Sequence, residues 1–249
     1  MNTIHSMRLD RFLSHQLGKS RKQVTRALKE KRVILDSKVI TNGAVKLLPE
    51  QKVLFDQQLL KYPITGRYFM LNKPKGYLCA TRDPHHPVVN DFFDETVSSE
   101  LHAAGRLDID ATGLVLMTDD GQWSHRLTSP KYHCKKTYWV TLASPISHDP
   151  TQNFLDGLRL KNEKTLTRPA QLKIVTPQSM ELTITEGRYH QVKRMFAAIG
   201  HHVTELHRMQ IGSIKLDEAL MPGQYRLLTK QEINSIISFE RMDQRSRCL

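Results

Sequence analysis

The residues best suited to chemistry lie in one stretch, Gly105-Arg106-Leu107-Asp108-Ile109-Asp110-Ala111-Thr112-Gly113, followed by the apolar run Leu114–Thr118 and the acidic turn Asp119-Asp120-Gly121. A loop opened by glycine presents a guanidinium and a carboxylate just ahead of a segment that reads as a buried strand. A carboxylate at the mouth of a sheet, beside an arginine, stays ionised and is placed to act as nucleophile or base. The same residue types also make a purely structural Asp–Arg pair, and their spacing does not choose between the two readings. Asp108 with Asp110, Asp119 or Asp120 would supply the paired carboxylates of a glycosidase. Asp119 and Asp120 read more simply as the turn and cap of a helix over Gln122–Leu127. His85-His86, His133 and His201-His202 never place two ligands at i,i+4 on a helix beside a carboxylate, so no metal site is predicted. Neither a P-loop nor a Rossmann glycine motif occurs. Tyr138, at the head of an apolar run, reads on its own as a core aromatic.

Periodicity gives the elements that must position these residues. Arg67–Asn72 and Leu114–Thr118 are short apolar runs of the kind found in buried strands. Thr137–Leu142, Ala170–Val175 and Glu181–Thr185 read as further strands, the last two joined across Pro177-Gln178-Ser179. Val192, Met195, Phe196 and Ile199 recur at helical spacing, and Gly200 ends that helix. Thr229 with Glu232 makes the capping box of a last helix through Ile236 and Ile237. Ahead of all these, Leu9, Phe12, Leu13 and Leu17 predict a helix stopped by Gly18. Ser20 caps a second helix that turns Val24, Ala27 and Leu28 inward, and Val33–Leu35 and Val39-Ile40 flank a hairpin turn at Asp36-Ser37-Lys38. Strands following strands, with helices interspersed irregularly, predict an α+β fold. The expected division is a small N-terminal unit over 1–60, a Pro- and Gly-containing linker over 61–66, a larger domain over 67–237 and a polar tail over 238–249.

The charge is uneven. The chain carries a formal +12, and residues 1–66 hold thirteen Lys/Arg against five Asp/Glu, a balance of +8. A quarter of the chain thus holds two-thirds of the excess, which points to a dedicated anion-binding module, most simply for a nucleic-acid backbone. No run reaches the roughly 18 apolar residues that span a bilayer. Cys79, Cys134 and Cys248 are odd in number and widely spaced, which argues against a disulfide framework and for a reducing cytoplasm.

The stretch from Gly105 to Gly121 is similar to the central signature of the pseudouridine synthases of the ribosomal small-subunit family. The resemblance extends from Arg67-Tyr68-Phe69-Met70-Leu71-Asn72-Lys73-Pro74, through Leu101-His102-Ala103-Ala104, to Glu186-Gly187-Arg188-Tyr189-His190-Gln191-Val192-Lys193-Arg194-Met195-Phe196, and covers roughly residues 7–237. It implies a catalytic domain with a mixed, mainly antiparallel sheet and a central cleft, whose reaction breaks the N1–C1′ bond of a uridine, turns the uracil and rejoins it through C5, without metal or cofactor. It further implies Asp108 as nucleophile, Tyr138 stacking on the flipped base, Lys193 pairing with Asp108, and Arg106 filling the place that the base vacates. Many relatives carry arginine at the position of Lys193, so a bidentate pair is not assured here. Arg188 and Arg194 are further candidates for RNA contact, Arg194 also for the Asp108 cluster.

The first unit resembles the S4 RNA-binding domain, through Arg8-Leu9-Asp10-Arg11-Phe12-Leu13 and Ser20-Arg21. Where many such domains have Asn-Gly in the hairpin turn, this chain has Asp36-Ser37. Arg8, Arg11, Arg21, Lys22 and Arg26 are its expected phosphate contacts. The substrate so implied is a uridine in 16S ribosomal RNA, free or in an assembling small subunit, acted on by a cytoplasmic monomer. The alternatives are a 23S target, a non-catalytic RNA-binding or ribosome-assembly protein, and a nucleoside or sugar hydrolase. Met7 stands where such chains usually begin, so Met1–Ser6 reads as an upstream-start extension.

Overall fold

The computed structural model describes residues 7–47, 51–60, 66–94, 98 and 100–236. Met1–Ser6, the linker residues 61–65, Ile237 and the tail over 238–249 lie outside the described residues. The chain divides into two units, Met1–Gly66 and Arg67–Leu249.

In the first unit, β1 (Met7–Arg8) leads into α1 (Leu9–Leu17), and α2 (Arg21–Lys29) follows. Ser20 caps α2 in a full capping box with Gln23. Leu9, Phe12 and Leu13 from α1 and Val24, Ala27 and Leu28 from α2 close on Val33, Leu47 and Val53 to form a core of this unit's own. Arg21, Lys22 and Arg26 are left on the exposed side. Strands β2 (Val33–Leu35) and β3 (Lys38–Val39) form the expected hairpin. Its turn residues Asp36 and Ser37 both have positive φ, 45° and 70°, the type I′ conformation that matches strand twist. Neither residue is the usual Asn or Gly. The Asp36 carboxylate accepts from the Lys52 N–H at 2.9 Å and the Gln51 amide at 2.8 Å, which ties the turn down. Strand β4 (Lys46–Leu47) pairs with β1. A second hairpin, β5 (Val53–Phe55) and β6 (Gln58–Leu60), repeats the turn at Asp56-Gln57 and completes a four-stranded sheet.

The second unit is built on a nine-stranded mixed sheet. Towards one edge, β7 (Tyr68–Lys73) and β9 (Thr112–Thr118) pair antiparallel, with β8 (His102–Ala103) paired to one end of β9. Both β7 and β9 are buried on both faces. Phe69, Leu71, Val115 and Met117 enter one apolar cluster, while Tyr68, Met70, Leu114 and Leu116 enter the other. That period-two split is why the two segments read as unbroken apolar runs. Strands β10 (Lys136–Leu142), β11 (Gln171–Thr176), β12 (Ser179–Ile184) and β13 (Val203–Ile211), with the short β14 (Ile214–Lys215), extend the sheet one way, and β15 (Tyr225–Leu227) closes the other edge. All these pairs are antiparallel except one. β13 runs parallel to β9, with His207 opposite Thr112 and Arg208 opposite Gly113. Packed on the sheet are α3 (Gly121–Thr128), capped by the Asp120 carboxylate, α4 (Thr151–Asp156) and α5 (Gln191–Ala198). Residues 230–236 are helical, and Thr229 and Glu232 exchange the two hydrogen bonds of the expected capping box.

Candidate active site

Asp108 lies on the loop between β8 and β9, and the loop is held by its carbonyls. Arg208 is 1% exposed and donates to the carbonyls of Leu114 (2.8 Å), Arg106 (3.3 Å) and Gly105 (3.0 Å). From β7, the fully buried Lys73 donates to the carbonyls of Pro74 (3.0 Å), Ile109 (3.3 Å) and Ala111 (2.7 Å). Neither cation has a carboxylate within ion-pair distance among the described residues, so carbonyl dipoles supply their direct contacts. Burial pushes the Lys73 ammonium below its ordinary range, against the pull of Cys79, Asp110 and Asp108. Leu107 N–H donates to the Cys79 thiol at 3.3 Å, and Gly76 N–H donates to Ile109 at 2.7 Å.

Gly113 makes this arrangement possible. Its φ is +99°, and a Cβ there would lie 2.4 Å from the carbonyl oxygen and 2.9 Å from the nitrogen of Arg208. Only glycine lets β9 approach β13 closely enough for the Arg208 side chain to reach back under the loop.

The carboxylate of Asp108 is one-quarter exposed and faces two groups from the N-terminal end of α5. Lys193 Nζ is 3.5 Å from one oxygen and His190 Nε2 is 3.4 Å from the other. Lys193 is closer to Asp110, at 2.5 Å, and holds that carboxyl below its usual range. The expected pairing of Lys193 with Asp108 is therefore a bridge across two carboxylates. Arg106 is exposed, and its guanidinium makes no hydrogen bond or ion pair among the described residues. Tyr138 is 6% exposed in β10, beside a register shift that re-aims the strand. It belongs to the same apolar cluster as Leu107, Ala111, Val192 and Met195. The loop thus presents the Asp108 carboxylate beside the Lys193 ammonium and the His190 imidazole, next to an apolar cluster.

Arg188 and Arg194 are both engaged within the chain. Arg188 pairs with Glu186 at 3.3 Å and donates to the carbonyls of Thr165 and Leu166. Arg194 pairs with Glu163 at 3.1 Å and donates to Lys161 and Tyr189. Both guanidiniums fasten the segment over 161–166 to the start of α5, and neither meets Asp108. In the other unit, Arg11, Arg21 and Lys22 are exposed, Arg26 pairs with Glu30 at 2.8 Å, and Arg8 pairs with Asp10 at 2.5 Å. Among the described residues no group of three or more His, Cys, Asp or Glu side chains is disposed to hold a metal ion, and no helix is long and apolar enough to cross a membrane.

Sequence reasoning missed Lys73 and Arg208 as supports of the loop, and His190 as a neighbour of Asp108. Lys73 and His190 carry no spacing signal of their own, and Arg208 works only through the pairing of β13 with β9.

Residues 67–198, which include Arg106, Asp108, Tyr138 and Lys193, match the family model described as RNA pseudouridylate synthase. The chain is 63% identical to the ribosomal small subunit pseudouridine synthase A of Yersinia pestis, over 92% of this chain and 98% of that protein. It is 58% identical to the protein of the same name from Escherichia coli K12, over 93% of this chain and all of that one. A solved pseudouridylate synthase, 48% identical, covers 93% of this chain and is itself covered completely, with a TM-score of 0.68. With that match running through the loop, the sheet and α5 alike, the chain belongs to the RNA pseudouridylate synthase family.

Proposed function

We propose that this isomerase converts one uridine of 16S ribosomal RNA to pseudouridine, with Asp108 as nucleophile. The observation that carries the assignment is the disposition of Asp108. It is a partly exposed carboxylate between Lys193 and His190, on a loop whose carbonyls are pinned by two buried cations. Binding of a folded RNA needs none of that preorganisation, whereas attack on a flipped nucleotide needs a fixed, ionised oxygen. The ribosomal small-subunit target follows the names of the Yersinia and Escherichia relatives. Tyr138, in the apolar cluster, is assigned to stacking on the displaced uracil, and Arg106, exposed and without a hydrogen bond or ion pair among the described residues, to the gap left in the RNA.

The unit over residues 1–60 is read as an S4-type RNA anchor, linked through 61–66 to the catalytic domain over 67–237. Arg11, Arg21, Lys22 and Arg26 on its exposed helical side contact phosphates, with Arg8 beside them. The free, buried thiols of Cys79 and Cys134 suit a reducing cytoplasm, and the enzyme is read as a monomer there.

Pseudouridine mapping of ribosomal RNA from cells with and without this gene tests the reading. One small-subunit site should disappear with the gene, return with the wild-type chain and not return with Asp108→Asn, although that variant still binds the RNA. A lost site in large-subunit RNA would overturn the substrate, and turnover by purified Asp108→Asn would overturn the nucleophile.

A further inference from the structure

Tyr189 carries an aromatic ring at the nucleophile that the assignments above leave without a task. The ring is 75% exposed, whereas Tyr68, Tyr132 and Tyr138 are buried. One of its faces lies on the imidazole of His190, with centroids 3.9 Å apart and planes inclined by 18°. The same imidazole approaches Asp108 to 3.4 Å. The turn that carries the pair is fixed from behind. Tyr189 O accepts from Arg194 Nη1 at 3.1 Å, and the Arg188 N–H donates to the Gln191 amide oxygen at 2.8 Å. His190 holds the left-handed conformation, φ 46°, which a non-glycine residue adopts at a cost and which is concentrated at functional sites. An aromatic ring left in water adds little to folding. Here the backbone accepts strain at the neighbouring residue and keeps the ring in place.

We propose that the outer face of Tyr189 stacks on a nucleobase next to the target uridine, so that this base, Tyr189, His190 and Asp108 form one continuous column. When the uridine leaves the RNA stack, its neighbour loses a stacking partner and regains one on Tyr189. The enzyme thereby holds the strand open beside the nucleophile. Stacking uses the π-face that every base has, so the contact supplies affinity and position without a hydrogen-bond code. The inference rests on the reading of Asp108 as nucleophile toward RNA.

The test uses the full-length enzyme and a small-subunit ribosomal RNA fragment spanning the mapped uridine, with 2-aminopurine placed in turn on either side of it. Wild-type enzyme and Tyr189→Phe should quench the probe at one of the two positions. Tyr189→Ala should abolish that quench and weaken binding by roughly 5- to 150-fold, the range for losing one base–aromatic stack, with the loss falling on KM more than on kcat. A Tyr189→Ala enzyme that quenches normally, or loses kcat with binding unchanged, would show that the ring only buttresses His190 and would overturn the proposal. Quenching is read without turnover. An Asp108→Asn variant that remained active would sink the nucleophile assignment and leave the stacking result standing by itself.

Discussion

Lys193 is the residue on which the electrostatics of the site turn, because one ammonium serves two carboxylates, at 2.5 Å from Asp110 and 3.5 Å from Asp108. Lys193→Gln leaves two neighbouring anions without that counter-ion, which favours protonation of one of them. Turnover should fall by roughly 10²-fold or more, the scale for removing one preorganised electrostatic group. Lys193→Arg keeps the charge and should retain most of the rate. Equal losses for both variants would make the contribution steric. Asp110 gives an independent check through stability. Its folded-state value is depressed by Lys193, so its stabilisation is present above the unfolded carboxylate value of about 3.9 and is lost as pH falls through the lower folded value. The stability difference between wild type and Asp110→Asn should therefore be flat near neutrality and close below about pH 4. Because the Asp110 side chain is half exposed, solvent keeps that difference small. Denaturant titrations across the acid range would measure it, and a difference that survived undiminished to pH 2 would contradict the pairing.

For the strands and the loop, the decisive feature is the parallel contact of β9 with β13. Gly113→Ala would drive a methyl group into the Arg208 backbone at a positive φ, and should cost at least about 2 kcal/mol, measurable by urea denaturation. Arg208→Met would orphan the carbonyls of Gly105, Arg106 and Leu114. Each orphan costs about 1–3 kcal/mol, partly offset by removing a buried charge, so a net loss of about 3 kcal/mol is expected. Single-turnover kinetics should show the chemical step slowed more than RNA binding is weakened. Unimpaired chemistry in a folded Arg208→Met enzyme would show that the loop holds itself. These contacts also mark the limit of what the sequence reveals. β7, β9 and β10 are legible within a residue or two, because strands buried on both faces, or alternating inward, announce themselves locally. β13 is not legible, since Thr204, Glu205, His207 and Arg208 break its apolar pattern and the partner that explains them is far away in the chain. The same holds for Lys73, a lysine at the end of an apolar run whose three acceptors come from Pro74 just after it and from the Asp108 loop. The hairpin at Asp56-Gln57 is not legible because no glycine follows Asp56, so the Asp-Gly signal of a two-residue turn is missing.

Over the whole molecule the two units have separate cores, one around Phe12 and Leu28, the others around the large sheet. The positive charge is concentrated in the first. Phosphate contacts set both affinity and salt dependence, with a log–log slope of about 0.7–0.9 per neutralised phosphate. Deleting residues 1–60 should weaken RNA binding and flatten that slope by roughly two or more, while the sheet around Asp108 stays folded on its own core. Binding titrations from low to moderate salt decide the matter. An unchanged slope would transfer the RNA anchor to the catalytic unit, with the exposed Arg106 and Lys135 as the groups to examine next; Lys136 is buried on the Cys134 carbonyl and Arg188 is held by Glu186.

The grip of Arg208 on Gly105 spans 103 residues of sequence. During synthesis at about 5–20 residues per second, the Asp108 loop waits roughly 5–20 seconds for the side chain that fixes it. The basic helices of the first unit are complete long before. With that unit as the RNA anchor, a chain broken off ahead of Arg208 is a ligand for the substrate with no chemistry to release it. Truncated chains of this enzyme should therefore compete with the intact protein for its own RNA.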